Sequence, residues 1–359
     1  MKLSKKLFLL LFLLPFTLSA CTGGAATMAS SWPGLTADGD TAYLAYNQHV
    51  YAINLANGSE KWRYPAEADS KITFYATPVL TEDGQLIVGG YNNVLYSLNP
   101  ATGTENWSFD GAKNRYIGSA LAGKSGIIYA PNADRTLYAL DSQGNLVWPY
   151  HTDGEQWTQP AADPNCECIY LPAMDFRIYA INSQDGSVKW ETKEMGGAMV
   201  GTPAYAPDGT LFVGSFNSEM LAINAANGQV RWRVDTDGWV WGGPAFKDGS
   251  LYFGDLKGSF YALEASTHKT RWKLTPDGPI TQTPLLDEES IYFATEAGSL
   301  YAVDYNGNIR WNKVIGGKLH TSPVLNGDKI LVSPTGIDQI LVALDLSGNQ
   351  VWQFIPEKK

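Results

Sequence analysis

Three cysteines and four histidines are the scarce reactive side chains of this 359-residue chain. Cys166-Glu167-Cys168 sets two thiols two residues apart, which suits a local disulfide or a reduced pair. A CxC metal or redox site is the alternative, but a zinc site needs two more ligands and none stands nearby in sequence. His49, His151, His268 and His320 show no HxxxH spacing, so each reads as a surface or turn residue rather than a ligand. Asp235-Thr236-Asp237-Gly238 begins like a calcium loop, lacks the remaining ligands, and reads as a turn. By alignment of the repeats described below, Glu155, Asp235 and Asp277 lie near one end of the central channel, but carboxylates are common in loops and no two of them form a nameable catalytic pair. The nucleophile elbow GxSxG, the phosphate-binding Walker loop and the dinucleotide fingerprint are missing. The expectation is therefore no catalytic residue and no metal site.

The elements that would position any site follow from the tryptophans. Trp62, Trp107, Trp148, Trp190, Trp232, Trp272, Trp311 and Trp352 recur at spacings of 45, 41, 42, 42, 40, 39 and 41 residues. Each follows an Ala or Ser, then an Asn, Asp or Glu two residues on, then a turn, as one supersecondary unit of about 40 residues would. Within the second unit Thr77–Leu80, Gln85–Gly89, Val94–Asn99 and Glu105–Phe109 read as four strands, separated by Glu82-Asp83-Gly84 and Ala101-Thr102-Gly103 turns. Such a four-stranded sheet has two apolar faces and cannot bury both alone, so eight of them stack around an axis. The fold class expected is all-β: an eight-bladed β-propeller of four-stranded antiparallel blades, with each recurring Trp docked in the seam between neighbours. His268 stands where other units place Gly, and a local change in that turn with an intact blade is expected. Because the repeats begin at Trp32-Pro33-Gly34-Leu35 and end after Trp352, blade eight has all its own strands, and the ring should close by face packing without a swapped strand. By alignment with Gly84 and Leu86, Cys166 and Cys168 fall on an outer hairpin turn, away from the central channel.

Residues that the repeat does not explain mark a candidate surface. Trp157, Trp239 and Trp241 precede the inner-strand prolines Pro160 and Pro244, in the loops that lead from a fourth strand into the next blade. Those loops converge at the funnel of a propeller. Matching places hold Phe74, Tyr75, Arg115 and Tyr116, and further on Met199, Lys318 and His320. Of these, Trp157, Trp239, Trp241, Tyr75, Arg115, Tyr116 and His320 are the candidate partner or ligand surface, because aromatics and Arg dominate binding hot spots. The alternative for any one of them is that it plugs a narrow channel.

At the N-terminus Lys2, Lys5 and Lys6 precede a 12-residue apolar run, Leu7 to Leu18, too short to span a bilayer. Residues 1–20 therefore read as a signal peptide. Its Leu-Ser-Ala-Cys end resembles the lipobox of bacterial lipoproteins, which implies cleavage before Cys21 and acylation (palmitate-class chains) of that cysteine. Residues 21–31, rich in Gly, Ala and Ser, form a tether to the propeller of residues 32–359. Loss of the three signal lysines leaves 23 basic against 36 acidic side chains, a formal charge of −13 with no basic patch, which argues against nucleic acid as a partner. The chain is expected outside the cytoplasm, held to the outer membrane or to the outer face of a plasma membrane.

Ala52-Ile53-Asn54-Leu55-Ala56-Asn57-Gly58-Ser59-Glu60-Lys61-Trp62, repeated in length by Ala222 to Trp232, resembles the tryptophan-docking motif of pyrroloquinoline quinone (PQQ) repeat propellers. Members of that fold that act as dehydrogenases imply PQQ with Ca2+ and, in many, adjacent cysteines over the cofactor; this chain has no Cys-Cys pair. The lipid anchor, the propeller size and the missing cofactor motif together resemble the BamB family of outer-membrane assembly lipoproteins. That resemblance implies a non-catalytic scaffold without cofactor that binds an envelope protein through channel-face loops. A sugar-sensing propeller is the alternative, and a PQQ-dependent oxidoreductase the lesser one.

Overall fold

The computed structural model describes residues 32–163 and 166–357. The signal segment 1–20, Cys21 and the tether 21–31 lie outside the described residues. Among the described residues eight four-stranded antiparallel sheets follow one another along the chain; seven are simple meanders, and in the eighth a short strand, Pro334–Thr335, is inserted between the second and third strands and pairs with Lys318–Leu319. Blade one is Gly34–Asp38, Thr41–Tyr46, His49–Asn54 and Glu60–Tyr64; blade eight is Val324–Asn326, Lys329–Val332, Leu341–Asp345 and Gln350–Phe354. One short 3-10 turn, Lys124–Gly126, is the single helical element among the described residues.

Strand chemistry matches position. The second and third strands are buried along nearly their whole length, as in Thr41–Tyr46 and His49–Asn54, because neighbouring blades cover both faces. Outer strands alternate exposed and half-buried residues, as in Glu105–Phe109, whose Trp107 and Phe109 turn inward. In every blade the third and fourth strands slip register just before the docking Trp, so that a small residue, Ala or Ser, stands opposite its ring. In seven blades an Asx residue ahead of the turn does the expected capping, as where Asn54 Oδ1 accepts from the Ala56 amide at 2.8 Å and Asn99 Oδ1 from that of Ala101 at 2.9 Å; the sixth has Glu264 there, which accepts from the Thr267 hydroxyl.

Each docking Trp reaches into the next blade. Trp62 Nε1 donates to the Pro100 carbonyl at 3.0 Å, Trp148 to that of Gln184 at 3.1 Å, and Trp272 to that of Tyr305 at 3.0 Å. The ring also lies flat on the turn glycine of that blade: at Gly103, whose φ is +72°, a Cβ would sit 2.5 Å from the Trp62 ring. At the sixth blade His268 holds the left-handed conformation with φ +57° and sets its ring 5.2 Å from that of Trp232, and the blade is intact, as expected.

Ring closure follows the same rule. Leu35, Leu44, Tyr51 and Ile53 of blade one share a core with Leu331, Leu341, Trp352 and Phe354 of blade eight. Trp352 Nε1 donates to the Leu55 carbonyl at 2.9 Å, and the Thr321 hydroxyl to that of Pro33 at 2.6 Å. Among the described residues no strand is exchanged between the two ends.

Candidate functional site

Seven blades enter through a common register, counted back from the residue that opens the inner strand (Pro78, Ala120, Pro160, Pro203, Pro244, Pro284 and Pro323). Four residues before it stand Phe74, Tyr116, Gln156, Met199, Val240, Ile280 and Leu319, all at 1% exposure or less. Three before it stand Tyr75, Trp157, Trp241 and His320, which remain partly exposed. Five before it stand Arg115, Trp239 and Lys318, all exposed. An extended segment alternates its side chains, so one position enters the inter-blade core while its neighbours face the channel mouth.

That alternation corrects the sequence reading at Tyr116. It was expected on the partner surface and instead packs with Ile87, Leu95, Ile128 and Tyr138 between blades two and three, its Cβ against Gly89. Phe74 and Met199 are core residues for the same reason.

The remaining candidates fall into three groups. Trp239, 51% exposed, stacks on Phe216 with centroids 5.2 Å apart, and Phe216 lies 5.0 Å from Trp241. Trp241 in turn meets Trp32 at 4.8 Å, and Trp32 stacks on His320 at 5.0 Å and 9°. These residues belong to the fifth, sixth, first and eighth blades, so the run crosses the channel mouth. A second group is Tyr75 stacked on Tyr91 at 3.8 Å, with the Arg115 guanidinium 5.1 Å above the Tyr91 ring. Trp157 stands apart from both, its Nε1 donating to Glu155 at 2.7 Å.

Sequence reasoning missed Phe216, Tyr91 and Glu296, and it used Trp32 only as the start of a strand. The first three sit in loops between second and third strands, which reach the same face as the interblade loops. Aromatics at those turns, Tyr91, Phe176 and Phe216, were the available signal.

The carboxylates and histidines near this face have local tasks. Asp277 accepts from the Thr295 and Ser299 hydroxyls and braces one loop. Buried Asp255 accepts from Tyr261 and from the amides of Gly238, Lys257 and Ser259. His151 Nδ1 pairs with the Thr136 hydroxyl at 2.9 Å, and His49 Nδ1 donates to the Pro65 carbonyl at 2.8 Å. Among the described residues no three His, Cys, Asp or Glu side chains gather as a metal set. Cys166 and Cys168 are joined as a disulfide in the hairpin between Ala161–Asp163 and Cys168–Pro172, on the opposite face from the aromatic run.

His320 is the titratable member of the run. Its side chain is 9% exposed, Nδ1 lies 3.7 Å from Glu296 and makes no hydrogen bond. Burial holds its pKa below 6.5, with Lys318 adding to that effect and Glu296 opposing it. Burial lowers His49 in the same way. Above pH 6.5 both residues are neutral in the folded and unfolded chain. Below it the unfolded chain binds protons that the folded one refuses, so stability falls as pH drops toward the lowered values. Carboxylates such as Asp40, lowered from 3.8, act only at more acid pH. The unfolding free energy is therefore expected to be smaller at pH 5 than at pH 7.5, and the difference to shrink in His320→Phe. Urea titrations at the two pH values check this, and an unchanged difference in the variant would remove His320 from the account.

A family model described as outer membrane protein assembly factor BamB matches residues 23–158, 91–238, 174–273 and 222–354. No curated protein matches the sequence. Among solved structures, BamB from Moraxella catarrhalis superposes with a TM-score of 0.71 at 17% identity, covering 84% of this chain and 92% of that one. The computationally designed Ika8 protein superposes at 0.73 with 14% identity, covering 91% and 98%. At these identities the structural likeness is one of fold.

Proposed function

Since the chain belongs to the family described as outer membrane protein assembly factor BamB, we propose that it is a lipid-anchored scaffold of the bacterial envelope that binds a protein through its channel face. The observation that carries this reading is the aromatic run from Trp239 through Phe216, Trp241 and Trp32 to His320. It presents a half-exposed Trp beside packed rings, the composition of a binding hot spot.

The anchor bears on where the partner sits. Eleven residues, 21–31, separate the tether's start from Trp32, and at ~3.3–3.6 Å each they reach at most about 40 Å. An acylated Cys21 would thus keep Trp32 within that reach of the lipid. We read that lipid as a membrane of the bacterial envelope, and the outer membrane named in the family description supports this reading.

PQQ fits this channel poorly. A flat quinone needs an open aromatic floor, and at this channel mouth Trp32 is already packed against His320 and Trp241. Calcium would need a ligand set, and none gathers among the described residues. We read the protein as cofactor-free and non-catalytic. A small-ligand reading has one observation behind it, an open depression between the inner strands of blades one and two, where Thr36, Asp38, Thr77, Thr81 and Gln159 stand beside Ala37, Pro78, Val79 and Leu80. Thermal shift against envelope sugars tests it.

The scaffold reading is tested by placing a photoreactive amino acid at position 239 in the native host, with position 351 on the outer rim as control. Cross-linking of an outer-membrane assembly or other envelope protein from 239 and not from 351 is the expected result. Equal capture from both positions, or none from 239, would overturn it.

A further inference from the structure

The Cys166–Cys168 bridge is poorly explained as a staple. Loop-closure entropy gains least for the shortest loops, and this bridge closes one residue within a hairpin whose strands already pair, Asp163 opposite Cys168. Glu167, between the two sulfurs, holds the left-handed conformation at φ +53° that Gly209 and Gly249 hold at the same turn of the next two blades, so the bridge is not needed to set that turn. The two sulfurs also differ in access. Cys168 is buried at 5% exposure beneath the hairpin, whereas Cys166 is partly exposed at its tip. The Lys189 ammonium donates to the Cys166 carbonyl at 2.6 Å, which sets a cation beside the residue where a thiolate would form.

We propose that Cys166–Cys168 is an exchangeable disulfide that oxidises a dithiol in another protein. A thiolate of the partner attacks Cys166 Sγ, the S–S bond breaks, and the electron pair leaves with Cys168 as a thiolate that takes a proton. The partner's second thiol loses its proton and attacks the partner sulfur of the mixed disulfide, releasing Cys166 as a thiolate that takes up a proton. Two electrons and two protons pass to the cysteine pair, and the partner gains one disulfide. Attack at Cys166 follows from exposure, and protonation of Cys168 from its burial. The site lies across the molecule from the aromatic run and is independent of any scaffold role.

The test uses the full chain with Cys21 replaced by Ser, so that alkylated thiols report this pair alone. Incubated with glutathione at varied ratios of reduced to oxidised form, the pair is expected to shift between the two states within that range. A synthetic peptide with two thiols, mixed in equal amount, should be oxidised once per protein molecule, and not by Cys166→Ser or Cys168→Ser. In Cys168→Ser the remaining thiol should react with a disulfide reagent at least tenfold faster than the thiol of Cys166→Ser. Thermal unfolding of both variants near that of the parent separates exchange from folding. A pair that stays oxidised in hundredfold excess of reduced glutathione, or a peptide left reduced, would overturn the proposal and mark the bridge as structural.

Discussion

Trp352→Ala is expected to lower the unfolding free energy by about 3–5 kcal/mol, the cost of deleting a large buried aromatic and leaving its cavity. Trp352 is 8% exposed, lies on Gly58 and donates to the Leu55 carbonyl, all in blade one. Since no strand is shared between the first and last blades among the described residues, the seam they form is held by side chains and a few hydrogen bonds. The loss would therefore act on closure of the ring as well as on one interface. Trp352→Phe keeps most of the ring and strands the Leu55 carbonyl, so a loss of about 1–2 kcal/mol is expected. Denaturant unfolding followed by circular dichroism gives both values. A cost under about 1 kcal/mol for the Ala variant would mean the ring is closed by something other than this face.

Trp239→Ala is expected to weaken partner binding by more than about tenfold, the hot-spot threshold, while changing stability by less than about 1 kcal/mol. The side chain is half exposed and touches Phe216 on one face only. Trp241 behaves differently, because it lies between Phe216 and Trp32. Its removal should loosen the run, lowering both stability and affinity, so it cannot by itself separate site from structure. Affinity for the cross-linked partner, measured for both variants beside their denaturation curves, tests the assignment. If Trp239→Ala binds as the parent does, the exposed end of the run is not the contact.

Much of the architecture was legible because it is local and repeated. The Asx residue, the turn and the Trp fall within about 11 residues in each unit, and their chemistry specifies a hairpin with a ring to dock. Face closure followed from the strand order at the two ends. The candidate surface was legible in part. Tyr75 and Tyr116 are the same type of residue in equivalent loops of successive blades, but one is partly exposed and the other lies in the core. Residue type alone does not carry that distinction; the register back from the inner-strand opening does, through the alternation of an extended chain.

What the sequence by itself determined, then, is the blade: its strands, its turns and the ring that joins it to the next, all set by interactions within or between adjacent repeats. What only the tertiary structure decided is which side chains meet over the channel. Trp32, Trp241 and His320 come from the first, sixth and eighth blades, yet their rings lie about 5 Å apart. Their contact depends on the number of blades and the diameter of the closed ring, and no local pattern encodes either. The same holds for His320, whose lowered pKa is a product of the burial that closure imposes.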